Sequence, residues 1–147
     1  MDHRFAVRTL ILVAGPNPAS LQQAAAVRAI FTAGSKGSGQ GTILNSDLSV
    51  NSSANPAHAG DVVVLYVTGE GQTQPPGVSG KITPTPDPFR QPVLAPAVSI
   101  GGQPAQVLFY GEAPGQVAGL MQINAQIPQT TEPGDAPATL TIGNITS

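Results

Sequence analysis

Short apolar runs closed by glycine, proline or asparagine recur along the chain, and in most of them apolar and polar positions alternate. Alternation with period two sends successive side chains to opposite faces of an extended segment, so the pattern predicts strands. Arg4 to Val13 sets Phe5, Val7, Thr9, Ile11 and Val13 on one face, against Ala6, Arg8, Leu10 and Leu12 on the other. Its first half has one apolar face, its second half two. Val62 to Thr68 (VVVLYVT) is launched by Gly60-Asp61 and stopped at Gly69-Glu70-Gly71. Its unbroken apolar character predicts a strand covered on both sides or central in its sheet, with Val62, Val64, Leu65 and Val67 as core positions. Thr42 to Leu44, Ala97 to Ile100, Ala105 to Tyr110, Ala118 to Ile127 and Ala138 to Ile142 bring the count to about seven or eight short strands at sandwich-like spacing.

The interruptions predict the connections. Gly15-Pro16-Asn17-Pro18 is a linker stiffened by two prolines, and Ser20 can cap a helical turn through the Ala-rich SLQQAAAVRAIF. Ala33 to Gly41 reads as a flexible loop, Asn45 to Asn51 as a tight turn, and Asn55-Pro56 as the start of another. The proline-rich stretch Gln74 to Pro96 excludes helix and predicts extended coil crossing between sheets. Gly101-Gly102 predicts a hairpin turn. The expected fold is an all-β, immunoglobulin-like β-sandwich with an extra N-terminal strand. Residues 1–18 form the strand extension and its linker, and residues 19–147 form the sandwich.

Composition narrows the function. Six Lys plus Arg against eight Asp plus Glu, with charged residues at 10%, provide no basic face to neutralise a phosphate backbone, so nucleic acid is not an expected partner. The chain has no cysteine, which removes disulfides and thiolate metal sites. The apolar run Leu10 to Ala14 is shorter than the roughly 7 to 15 residues of a signal-peptide core and far too short to span a bilayer.

Four phrases in order, IFTAGSKGSGQGTILNSDLSVNSSANPAHAGDVV, LYVTGEGQTQPPGVSGK, VSIGGQPAQVLFYGEAPGQVAGLMQINAQIP and GDAPATLTIGNITS, resemble the Solibacter-type C-terminal domain of large secreted acidobacterial proteins. The resemblance covers Ile30 to Ser147. It implies an immunoglobulin-like sandwich outside the cytoplasm, appended to other extracellular repeats and without established activity, and it supplies no catalytic residues. In that family another apolar strand follows the position of Ser147, and no strand equivalent to Arg4 to Val13 precedes the shared part.

Candidate chemistry is sparse. Neither TGEGQT nor SIGGQP makes a phosphate-binding word at a strand-to-helix turn, so their glycines are read as strand ends and hairpin turns. Asn45, Asp47, Ser49 and Asn51 present oxygens at every second residue as a calcium loop does. With one carboxylate and no bidentate Glu at the required spacing, an Asx-type turn is the better reading. His3 and His58 have no nearby His, Cys or acidic cluster that would make a metal set and are expected at the surface or in turns. Glu70 and Glu112, at two strand ends, are the residues a paired-carboxylate hydrolase would use, but with aromatic residues at 4% to stack a sugar, surface solvation is expected instead. Asn51-Ser52-Ser53 and Asn144-Ile145-Thr146 match the glycosylation pattern by chance. The expectation is a non-enzymatic chain without cofactor or metal, extracellular or on the cell surface, with a surface or carbohydrate ligand unspecified.

Strand counting suggests a partner. A sandwich short of its final strand leaves an apolar groove and unpaired backbone, which the face Phe5, Val7, Thr9, Ile11 and Val13 of a second copy can fill. Donor and groove are different surfaces, so the contact propagates into a homopolymer, a pilus-like filament. The alternative is that the same strand folds back into its own domain, giving a monomeric spacer, adhesion or carbohydrate-binding module.

Overall fold

The computed structural model describes residues 4–9, 29–35, 39–78, 80–83, 89–143 and 145–146. They are all-β, with no helix among them. In chain order the strands are β1 (Arg4–Thr9), β2 (Ala29–Ile30), β3 (Gly39–Gln40), β4 (Ile43–Asn45), β5 (Ala57–His58), β6 (Val62–Thr68), β7 (Thr73–Gln74), β8 (Gln91–Pro92), β9 (Pro96–Ile100), β10 (Gln103–Glu112), β11 (Leu120–Gln126), β12 (Gly134–Ile142) and β13 (Ile145–Thr146).

One large sheet runs β2-β6-β11-β10-β9-β12-β1-β3, with β7 and β8 paired apart from it. It divides where β10 changes partners: Gln103 to Ala105 pair with β9, Gln106 to Glu112 with β11, and the register shifts between Val107 and Phe109. An extra residue in one strand increases local twist and bends it. The opposite corner lies between β3 and β4, since Gly39 and Gln40 pair with β1 whereas Ile43 to Asn45 pair with β6. A bridge between Thr32 and Gly41 ties the continuations of β2 and β3 together, so the sheet nearly closes into a barrel-like shape.

The core follows the alternation of the strands that enclose it. Met121, Ile123 and Ala125 of β11, Val98 and Ile100 of β9, and Ala136, Ala138, Leu140 and Ile142 of β12 point inward, with half-buried or exposed neighbours between them. Strand β6 spans the expected residues, but its core face is Val63, Leu65 and Val67. Val64 is buried on the opposite face, outside that cluster, and Val62 is only half-buried. The apolar run therefore has unequal sides, because the face shared by Val62, Val64 and Tyr66 is covered only in part. Two-sided character in the sequence overstated the burial of Val62.

Strand β1 lies in the sheet of its own chain. Phe5, Ala6, Val7, Arg8 and Thr9 run parallel to Gly134, Asp135, Ala136, Pro137 and Ala138 of β12, while β3 and β5 pair with β1 antiparallel. Thr141 and Ile142 pair with β13, a short hairpin return. Ile11 and Val13, the Gly15 to Pro18 linker and most of the expected helical turn fall outside the described residues. At the end of that turn Ala29 and Ile30 are strand, paired with Thr68 and Val67, because Ile30 is drawn into the core. The stretch Ala33 to Gly41, expected as a loop, contains β3 and the closing bridge. Gly101 and Gly102, both at positive φ, form the two-residue turn between β9 and β10 that their dipeptide predicts.

Candidate functional site

A hydrogen-bonded turn after β4 engages the calcium-like residues. Leu48 N donates to Asn45 O and Asn45 N to Ser49 O, closing the turn after β4. Asp47 Oδ1 accepts from both the backbone N–H and the hydroxyl of Ser49, and these bonds hold its carboxyl below the usual carboxylate range. Asn51 Nδ2 donates to Asn45 Oδ1 at 2.8 Å. Asn51 is fully buried and its side-chain amide is engaged inside the turn, so the Asn51-Ser52-Ser53 match offers no accessible acceptor. Asn144, of the second match, lies outside the described residues.

His58 is exposed on β5 beside Asp61, whose Oδ2 accepts from the His58 backbone N–H at 2.8 Å. His3 lies outside the described residues. Among the described residues no group of three His, Cys, Asp or Glu side chains comes together as a metal set.

Glu70 and Glu112, expected at the surface, are both buried. Glu112 is 0% exposed and Glu70 9%, and they line one cleft of about 510 Å³. Local sequence turns Glu70 inward: it follows β6 between Gly69 and Gly71, both at positive φ, a conformation open to glycine at little steric cost. Glu112 is the last residue of β10, held by Glu112 N donating to Arg90 O at 2.8 Å.

Gln74, Pro76, Gly77, Val78 and Val93 of the proline-rich segment line the cleft. β7 pairs with β8, and Val93 N donates to Gln72 O. Further along, Thr83 N donates to Gln116 O and Ala118 N to Lys81 O, fastening residues 81–83 to the turn between β10 and β11. The ring of Phe89 meets that of Phe109 edge-on, 5.7 Å between centroids. Gly111 leaves room for this strap, because a Cβ there would stand 3.0 Å from the Arg90 carbonyl oxygen.

The strap brings Glu112 its partners. Arg90 Nη1 and Thr83 Oγ1 both donate to Glu112 Oε2, each at 2.9 Å. Glu112 Oε1 is buried without a hydrogen-bond partner, and so is Glu70 Oε2. Burial first, and the negative charge of Glu112 after it, push the Glu70 carboxyl up to about 7. A hydrogen bond from the Gly119 backbone N–H and the charge of Arg90 oppose the rise. The arrangement is a dyad: one acid is compensated by a guanidinium, and the other exchanges its proton near neutrality.

Sequence reasoning singled out both glutamates but missed their burial, and it missed Arg90, Thr83, Thr73 and Gly77 altogether. The flanking glycines of Glu70 were a signal. Nothing local marks Arg90 or Thr83, which lie 22 and 29 positions from Glu112. No residue described as lining the cleft is aromatic. No helix of the described residues is long and apolar enough to cross a membrane. Comparison with known family models, curated proteins and solved structures finds no match to this chain.

Proposed function

We propose that the chain is a non-catalytic, immunoglobulin-like module of the cell exterior that folds as a monomer around its own first strand. The observation that carries this reading is the parallel pairing of β1 with Gly134 to Ala138 of β12 in the same chain. An edge so occupied has no free backbone ladder for a neighbour's strand, which supports insertion within the chain over donation between copies. The division of the sheet at β10 into two groups of strands is consistent with a sandwich. The extracellular placement rests on the family resemblance of Ile30 to Ser147. Absence of aromatic residues among the described lining of the glutamate cleft supports a non-catalytic reading, since glycoside chemistry at two carboxylates commonly also stacks the sugar.

The test is light scattering of the full chain under native conditions, with hydrogen exchange read at Arg4 to Thr9. A monodisperse monomer with protected β1 amides is expected, together with loss of stability on deleting residues 1–14. Polymers that disappear on that deletion, and a truncated subunit restabilised by a peptide of residues 4–13, would establish the strand-donated filament instead.

A further inference from the structure

We propose that the cleft between Glu70 and Glu112 is a binding site for a primary ammonium group carried on a short alkyl chain. Glu112 has one oxygen tethered, by Arg90 and Thr83, and one free; Glu70 Oε2 is likewise free. Buried polar atoms without partners are uncommon in folded proteins, and two carboxylate oxygens of this kind in one cleft mark a place for a donor. Thr73 Oγ1 adds a third oxygen. Its own proton is spent on Pro75 O at 3.0 Å, so it offers lone pairs only. An ammonium has three N–H donors and no acceptor, matching three acceptor oxygens.

Space and charge agree with this ligand. A Cβ at Gly77 would stand 3.1 Å from Glu112 Oε1 and 3.3 Å from Thr73 Oγ1, so the two oxygens lie close to one another and the bare glycine keeps a side chain from crowding them. With both carboxyls ionised, two negative charges face the single positive charge of Arg90, so a monocation completes neutrality and a dication overshoots it. Calcium takes about six to eight oxygens, against the three side-chain oxygens identified here. A quaternary ammonium lacks N–H donors and favours aromatic walls, whereas Val78 and Val93, both exposed at the cleft, provide aliphatic ones for an alkyl stem. Because Glu70 holds its proton up to about pH 7, the ammonium competes with that proton and binds more tightly above neutrality.

The ammonium can belong to a free alkylamine or to a lysine side chain of another protein, and the experiment separates them. The full chain carrying carbon-13 at its glutamate carboxyls is titrated at pH 8 with n-butylammonium chloride, n-butanol, sodium chloride, calcium chloride and Nα-acetyl-lysine N-methylamide, with Glu132 as internal reference. Butylammonium is expected to shift Glu70 and Glu112 but not Glu132, with affinity falling at least tenfold between pH 8 and pH 5.5. Glu70→Gln and Gly77→Ala are each expected to weaken binding at least tenfold, and the Ala variant decides the matter if the Gln variant does not fold. Equal binding of the lysine analogue assigns the site to a lysine side chain; much weaker binding assigns it to a free amine. The proposal is overturned if n-butanol or sodium chloride produces the same shifts, if both variants bind as the parent does, or if calcium chloride saturates the site while butylammonium leaves it unchanged.

Discussion

The interior of this molecule holds two kinds of burial. Between β6, β11, β9 and β12 it is apolar and built from strand alternation, so each inward side chain follows from its neighbours two positions away. At the ends of β6 and β10 it is polar, and Glu112 is fully buried only because Thr83 and Arg90 arrive from distant parts of the chain. Apolar burial is non-directional and tolerates small changes of partner, whereas a buried carboxylate requires specific donors at hydrogen-bond distance. The first is redundant. The second fails when one partner is removed.

That contrast orders the expected responses to mutation. The largest effect belongs to Leu65→Asp, which places an unpaired charge at a position with 0% exposure and is expected to abolish the cooperative thermal transition. Leu65→Ala, leaving only a cavity, should fold with a loss of about 2–5 kcal/mol by urea denaturation. A cooperative Asp variant would show that β6 is not central.

Next is Glu112→Ala, which strands Arg90, itself only 17% exposed, and leaves Thr83 without its acceptor. A loss of about 3–5 kcal/mol is expected, because removing one member of a buried ion pair leaves an uncompensated charge. Replacing Arg90 by Met in the Glu112→Ala background should then cost little more. Additive losses would mean that the two residues are not energetically paired.

A smaller, pH-dependent effect separates Glu70 from its neighbour. Its folded carboxyl titrates near 7, above the ordinary glutamate value of 4.5, so the stability it contributes is fully present below the unfolded value and is lost as pH rises through about 7. The melting temperature of the parent should therefore fall between pH 5.5 and pH 8 relative to that of Glu70→Gln, whose neutral amide cannot ionise. Parallel pH profiles would mean that burial beside Glu112 does not raise the Glu70 carboxyl. The smallest effect is expected outside both interiors, at Leu48, exposed in the turn with φ 66°. Leu48→Gly relieves a left-handed conformation that a branched side chain resists, and should raise stability by about 0.5–1 kcal/mol.

How far the sequence was legible follows the same division. Period-two alternation located β9, β11 and β12, and glycine-bounded apolar residues located β6 to the residue, because strand faces depend on near neighbours. Local propensity favours a helical turn in the Ala-rich stretch Ser20 to Phe31, but pairing with Thr68 and Val67 makes Ala29–Ile30 a strand. Backbone preference of well under 1 kcal/mol per residue yields to burial of an Ile side chain worth about 1.5–3 kcal/mol.

The sequence by itself determined an all-β chain, the places where its longer strands turn, and the identity of the two acids. Tertiary structure decided which side of β6 faces the core, that β1 joins β12 in parallel, and that Glu70 and Glu112 share a cleft. Alternation and turn chemistry are local, carried by residues a few positions apart. Parallel pairing, strap closure and carboxylate burial join residues separated by tens of positions, and their free energies arise only when the closed sheet brings the partners together.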